Sequence, residues 1–229
     1  MDSDSHAVSR VTRSKAQAKA SYDRMSLFYD YFTGSSEQRY NKIALELLHI
    51  AQGEMVLEIG YGTGHGLKQI AGAVGAAGRV YGIDISSGMR KVSQQRLAKA
   101  KLLDRVELIC DDALKMPYRD CSFDAAFAGF VLELFDTPEI PIILTEIARV
   151  LRPAGRMGIV SLSKEASASR LLSLYEWLHE RLPQYIDCRP IYVERVIRDA
   201  GFEIRHAERV SLFGLPGEII IGTKPKVPA

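Results

Sequence analysis

Val56-Leu57-Glu58-Ile59-Gly60-Tyr61-Gly62-Thr63-Gly64 runs from an apolar strand into three alternating glycines, and a helix-like stretch follows. Glycine accepts positive φ and has no Cβ to hold a ligand away from the backbone. The helix after such a turn begins with free N–H groups, which suit a carboxylate or phosphate. The stretch therefore reads as a ligand cradle at the C-terminal end of a strand. The spacing G-x-G-x-G is not the G-x-G-x-x-G of a dinucleotide site. Glu58, two residues before the first glycine, would repel a pyrophosphate and accept hydrogen bonds from an ammonium.

Working outward, Arg79-Val80-Tyr81-Gly82-Ile83-Asp84 is a second apolar strand ending in an acid, twenty residues after Gly64. In nucleoside-binding α/β folds an acid at that place takes the ribose hydroxyls. The rival role for Asp84 is to cap the helix starting near Ser86. Strands are expected at 55–60, 79–84, 105–110, 123–130 and 155–162, alternating with helices at 87–101 and 138–151. That order predicts a parallel sheet with helices on both faces. Leu67, Ile70, Ala71 and Val74 form the buried stripe of the helix after the glycines. Thr137 is expected to cap the helix 138–151, with Pro138 first inside it and Ile140, Ile143, Leu144, Ile147 and Leu151 along its stripe. Two last strands, near 202–211 and 217–223, should pair antiparallel across Gly214-Leu215-Pro216-Gly217.

Before the first strand, residues 1–15 read as a disordered tail. Residues 16–32 read as one helix with Tyr22, Met25, Phe28, Tyr29 and Phe32 on a single face, and 36–51 as a second with Ile43, Leu47 and Ile50 on its apolar side. Residues 164–188, with Leu171, Leu172, Leu174, Trp177 and Leu178, break the alternation and read as a helical insert over the C-terminal edge of the sheet. The domain is expected to span 16–223.

The chain has 229 residues, 47% of them hydrophobic, with a net charge of +2. That length suits one domain, and the whole-chain charge gives no default for nucleic acid. Cys110, Cys121 and Cys188 lack metal-ligand spacing and read as reduced thiols. No metal cluster is visible, and neither a signal core nor a spanning segment is apparent, so a cytoplasmic location is expected.

The motifs together resemble the class I S-adenosylmethionine-dependent methyltransferases. E-x-G-x-G-x-G and the acid ending the second strand carry the likeness. So do Cys110-Asp111-Asp112-Ala113 before Met116-Pro117-Tyr118, the strand Ser122-Phe123-Asp124-Ala125-Ala126-Phe127-Ala128, and Glu146 to Gly155. The resemblance implies a Rossmann-like, doubly wound seven-stranded sheet, mostly parallel with an antiparallel last strand, and S-adenosyl-L-methionine as cofactor. It implies a cofactor site of Glu58, Gly60, Tyr61, Gly62, Thr63, Gly64, Asp84, Ile85, Met89, Asp112, Ala113, Ala128 and Gly129, with Asp112 on the adenine amino group and Asp111 solvated. Ser21-Tyr22-Asp23 to Phe28-Tyr29-Asp30 is similar to the N-terminal lid of the ubiquinone and menaquinone C-methyltransferases. Tyr22 and Tyr29 would then close over the cofactor; otherwise they are ordinary packing.

The acceptor is the open point. The lid likeness favours an aromatic, quinol-type small molecule. A phospholipid amine reached by residues 16–32 at a membrane surface, and a non-catalytic adenosylmethionine-binding role, are the alternatives. A dehydrogenase lacks its glycine spacing. No base stands out. Glu133, after the fourth strand, and Tyr29 are candidates, with Glu133 alternatively a surface acid and His65 an exposed or capping residue. Tyr185, Asp187 and Arg189 form either a structural knot or part of the acceptor pocket.

Overall fold

A computed structural model describes residues 8, 10, 11, 13–26, 29–164, 170–181, 188–212 and 214–226. Its centre is a seven-stranded sheet. The strands are β1 (Met55–Ile59), β2 (Arg79–Asp84), β3 (Val106–Cys110), β4 (Phe123–Gly129), β5 (Leu151–Leu162), β6 (Glu203–Leu212) and β7 (Leu215–Thr223). They lie in the order β3-β2-β1-β4-β5-β7-β6. β1 to β5 are parallel, and β7 runs antiparallel between β5 and β6.

The helices are α1 (Lys15–Met25), α2 (Tyr29–Leu47), α3 (His65–Val74), α4 (Ser87–Lys99), α5 (Ile140–Val150), α6 (Arg170–Arg181) and α7 (Val193–Asp199). Two apolar layers pack on the sheet. One joins Ile143, Leu144 and Ile147 of α5 and Ile197 of α7 to Leu57, Ile83 and Ala126. The other joins Leu48, after α2, and Leu67 and Ile70 of α3 to Val56, Val80 and Phe127. The central strands are covered on both faces, so β1 and β4 are almost wholly apolar and buried.

Several boundaries depart from the sequence reading. The 16–32 helix is two helices. Ser26 ends α1 and turns its hydroxyl back onto the Asp23 carbonyl at 3.0 Å. No residue of α1 is buried, and Met25 is 40% exposed, so the part of the expected apolar face that α1 carries is not a core face. Phe28 lies outside the described residues, and only the helix path is described at Tyr29 and Phe32. In α2 and just after it the buried line is Ala44, Leu45 and Leu48, with Ile43, Leu47 and Ile50 half-buried beside it. α5 starts at Ile140 without a side-chain cap, and Thr137 instead accepts from Arg189 Nη1 at 3.2 Å. β5 begins at Leu151, so Pro153, which closes the helix, sits inside a strand. Leu215, Pro216 and Gly217, read as turn, belong to β7.

Chain order reverses between β1 and β4, which are neighbours although β2 and β3 intervene in sequence. At such a switch point the strand ends part and leave a crevice. Gly60, just past β1, and Gly129, ending β4, both face a cavity there of about 410 Å³.

Candidate functional site

The glycine turn is held by side chains from outside it, which bond to its backbone. Gly60, Gly62 and Gly64 all have positive φ, at 64°, 49° and 81°. The Asp84 carboxylate accepts from the Gly62 amide at 2.9 Å and from the Ser86 amide at 2.8 Å. From α4, Ser93 Oγ donates to the Gly62 carbonyl at 2.7 Å and Arg96 Nε to the Thr63 carbonyl at 2.8 Å. The three glycines do different work. A Cβ on Gly60 would lie 2.4 Å from Val131 Cγ2, and one on Gly64 2.8 Å from Ser93 Oγ, so those two allow close packing. A Cβ on Gly62 would meet nothing within 4 Å, and Gly62 lines the cavity. Its bare backbone faces the space a ligand would fill.

Glu58 reaches the same place from the end of β1 and is 5% exposed. Its Oε2 is buried with no hydrogen-bond partner. Burial, and then the neighbouring Asp84 charge, push the Glu58 carboxyl well above its ordinary value. Burial also raises Asp84, with the Ser86 and Gly62 amides pulling the other way. Two acids held beside one bare turn form a site for hydroxyl and ammonium donors. This fits a cofactor with an amino-acid end and a ribose. Glu58 would meet the ammonium, Asp84 the ribose, and Gly62 the close approach.

Most of the expected site residues meet at this cavity: Tyr22, Glu58, Gly60, Tyr61, Gly62, Thr63, Asp84, Ile85, Met89, Asp112, Ala113 and Gly129. Gly64 and Ala128 are not in its wall. Gly64 packs on Ser93, and Ala128 is buried in the core on the α5 side of the sheet. The Tyr29 side chain, and Tyr185 and Asp187, lie outside the described residues. Tyr61 is buried, its hydroxyl donates to the Ile109 carbonyl at 3.3 Å, and burial raises its pKa. Asp112 uses one oxygen to cap the 3-10 turn Ala113–Lys115 through the Leu114 amide at 3.0 Å. Its other oxygen takes Lys15 Nζ at 2.6 Å. Asp111 is exposed, as expected.

Glu133 is neither a surface acid nor a cavity group. It is fully buried behind the wall, accepting from Ser161 Oγ at 2.8 Å and from the Leu162 amide at 3.3 Å. A loop that must pack against β5 needs an acceptor for those donors. Arg189 is likewise fully buried, bonded to Thr137 Oγ1 and to the Phe135 carbonyl, and burial lowers its pKa. It ties the end of the insert to the loop after β4.

The far wall holds residues the sequence did not mark. Gln38 and Asn41 come from α2, Val131, Leu134 and Phe135 from the loop after β4, and His179 from α6. Asn41 Oδ1 is buried without a partner, and a Cβ on Gly129 would lie 2.2 Å from it. His179 is 4% exposed, and His65, expected to be exposed or capping, also faces the cavity. No periodicity signals these positions, because they converge from elements distant in sequence.

Val11, Arg13, Ser14 and Lys15, from the segment read as a disordered tail, line the front of the cavity. Arg10 Nε and Nη2 hold the Asp136 carboxylate at 2.8 and 2.5 Å, and the Val11 amide adds a bond at 3.0 Å. The Arg10 bonds hold Asp136 well below the usual carboxylate range. Ser14 and Gln17 form a reciprocal capping box at the start of α1. Lys15 bridges Asp112 and Glu139, the latter at 3.0 Å. At the other end of α1, Asp23 accepts from Ser86 Oγ at 2.6 Å and the Gly88 amide at 2.8 Å. Burial alone would raise Asp23; Ser86, Gly88 and Lys19 outweigh it and bring the carboxyl to about 2.

Residues 56–155 match a family described as a methyltransferase domain. The chain is 34% identical over 146 residues to a demethylmenaquinone methyltransferase of Geobacillus stearothermophilus, covering 64% of this chain and 60% of that protein. It is 34% identical over 149 residues to the ubiquinone/menaquinone biosynthesis C-methyltransferase UbiE of Pseudomonas fluorescens (strain Pf0-1), covering 65% and 56%. The chain thus spans less than two thirds of these relatives. Among solved structures, the 4+2 cyclase SpnF is similar at a TM-score of 0.76 and 20% identity, covering 97% of this chain and 100% of that one. The 1,6-didemethyltoxoflavin-N1-methyltransferase of Burkholderia thailandensis, solved with its acceptor and S-adenosylhomocysteine, has a TM-score of 0.73 at 17% identity, covering 99% and 98%. At such identities the structures establish the fold alone.

Proposed function

We propose that residues 56–155, which match a methyltransferase domain, form a class I S-adenosylmethionine-dependent methyltransferase, and that this protein methylates an aromatic, quinol-type small molecule. The observation that carries the cofactor half is the buried Glu58 oxygen without a partner, set beside the open backbone of Gly62. A buried acceptor left unpaired is costly unless a ligand's donor completes it. S-adenosyl-L-methionine supplies a methyl group on a sulfonium, so the protein needs no covalent intermediate.

The chain's own part is to position and to dry the site. Glu58 and Asp84 take donors, Ala113 and Ile85 supply apolar walls, and α1 with Tyr22 closes the front. The far wall supports an aromatic acceptor. Val131, Leu134 and Phe135 offer apolar surface, while Gln38 and Asn41 offer polar contacts that orient a ring. A phenolic or quinol acceptor must also lose a proton. Of the two imidazoles in the cavity wall, His65 is held by Arg96 Nη1 and Gln38 Nε2, which leaves His179 as the candidate to accept it. Glu133 cannot, since it is engaged behind the wall. Support for the quinol class comes from the curated relatives, whose printed names are demethylmenaquinone and ubiquinone/menaquinone methyltransferases.

The test has two arms. Calorimetry with S-adenosylhomocysteine reads the cofactor site alone, and no binding would sink the whole reading. Incubation with methyl-labelled cofactor and a reduced demethylated quinone, followed by mass spectrometry, reads the acceptor. Tight cofactor binding without labelled quinol would overturn the acceptor assignment and leave the cofactor site standing.

A further inference from the structure

The net charge of +2 conceals an uneven distribution. From Lys68 to Leu103 there are seven basic residues, Lys68, Arg79, Arg90, Lys91, Arg96, Lys99 and Lys101, and one acid, the half-buried Asp84 of the cofactor cavity. The rest of the chain is therefore net negative. α4 carries no acid at all. It buries Met89, Ser93 and Leu97 and turns Arg90, Lys91 and Lys99 to solvent, with Lys68 of α3 and Lys101 alongside, also exposed. Lys68, Arg96 and Lys99 line one groove between α3 and α4. None of the five exposed cations makes an ion pair with a described residue. Elsewhere on the surface Lys15, Lys19, Lys42, Arg149, Arg152 and Arg156 each have a carboxylate partner.

We infer that the outer face of α4, with Lys68 of α3, is a docking surface for an anionic lipid membrane. The occupant follows from chemistry. A plane of lipid phosphates needs only a matching set of cations within a Debye length and no shaped pocket. A single-stranded nucleic acid would want aromatic side chains for its bases, and the exposed positions of α3 and α4 hold Lys, Arg, Gln, Gly, Ala and Ser. Met25, 40% exposed at the end of α1, lies next to the start of α4, where Ser26 and Asp23 pack on Gly88. An apolar side chain beside a cationic face suits the headgroup boundary. The charge asymmetry also orients the molecule, since its net-negative remainder is repelled by the same surface. Residues 16–32, the membrane-facing segment of the alternative reading, suit it less, because Lys15 and Lys19 of α1 are spent on ion pairs within the protein.

The inference does not rest on the acceptor, and its test reads binding only. The full chain is sedimented with phosphatidylcholine vesicles, with and without phosphatidylglycerol, at low and high salt. Binding is expected only with phosphatidylglycerol and is expected to fall with salt. Lys91→Ala with Lys99→Ala should weaken the partition about twenty-fivefold, at roughly fivefold per lost cation. Lys42→Ala on α2 should leave it unchanged, and cofactor binding measured in parallel reports that each variant is folded. Equal binding to neutral vesicles, no vesicle binding, or an unaffected Lys91/Lys99 variant would each overturn the inference. Salt-sensitive binding of transfer RNA without vesicle binding would overturn it in favour of a nucleic-acid surface.

Discussion

The two walls of the cavity are built by different means. On the side of β1, β2 and β3, Glu58 and Asp84 sit at strand ends and the neighbouring turn is pinned by short bonds: the Asp84 carboxylate holds the Gly62 and Ser86 amides, and Ser93 and Arg96 of α4 hold the turn's carbonyls. On the far side, Gln38, Asn41, Phe135 and His179 arrive from α2, from the loop after β4 and from α6, and are set by packing and by pins such as Arg189. The first wall is a local device that strand and turn geometry nearly dictates. The second is assembled from separate pieces and is free to change with the acceptor. Substitutions in the first wall should therefore act on cofactor affinity, and those in the second on turnover.

The strongest way to break that division is at Gly60 and Gly62. Gly60→Val forces a side chain into Val131 at a positive φ and should prevent folding or remove cofactor binding altogether. Gly62→Ala has open space and should cost only about 1–2 kcal/mol of backbone strain, yet reduce cofactor affinity beyond that loss, with Gly62→Val worse. Thermal melts beside calorimetry separate the two effects, and parental affinity in both Gly62 variants would move the cradle elsewhere.

Next in size is Asp84→Ala. It strands two backbone amides as well as removing an acceptor from the ribose, at roughly 1.5–3 kcal/mol for a charge-assisted bond, or about ten- to hundredfold in the cofactor dissociation constant. Asp84→Asn, which keeps one acceptor oxygen, should lose less. An unchanged constant would remove Asp84 from the site.

Glu58→Gln should split stability from binding. The Glu58 carboxyl is raised by burial, so in the cofactor-free protein its contribution is complete below the unfolded value near 4.5 and is lost as pH rises towards the folded one. Removing the ionisable group should raise the melting temperature at neutral pH by roughly 2–4 °C, weaken cofactor binding, and flatten the fall in stability above that unfolded value. A lower melting temperature at neutral pH would show that Glu58 is already satisfied.

The smallest expected effect lies at the front closure. α1 buries no residue and is held by polar contacts, so its opening should be inexpensive, and amide exchange across 15–25 should slow when S-adenosylhomocysteine binds. Lys15→Ala should change cofactor affinity only a few-fold, since Lys15 competes for the Asp112 oxygen that would take an adenine amino group. Equal protection with and without ligand would make α1 a fixed part of the domain.

The same division explains what the sequence disclosed. The strands, the α3 and α5 stripes and the glycine turn were legible because burial on both sheet faces leaves periodic apolar runs. Glu58 and Asp84 were legible because strand ends place them. The break at Ser26 was not, because residues 16–32 keep a helical apolar spacing across it, while the turn is fixed by the distant Ser86 and Gly88 through Asp23. The buried Glu133 and the cavity-facing His179 were hidden for a related reason. Each depends on elements distant in sequence, β5 for Glu133 and the far wall of the cavity for His179, that no local pattern announces.

The place of β7 has a consequence for how the molecule is made. β7 follows β6 in the chain but lies inside it, between β5 and β6. The β6–β7 hairpin can form from neighbouring sequence and must then dock as a unit along Arg156 to Leu162 of β5. Until it docks, β5 presents a bare edge of backbone donors and acceptors, the kind of template that recruits a strand from another chain. A substitution that loosens this seam, as at Ile219 or Ile220, would thus show itself first as aggregation during synthesis, while the glycine turn three strands away stayed intact.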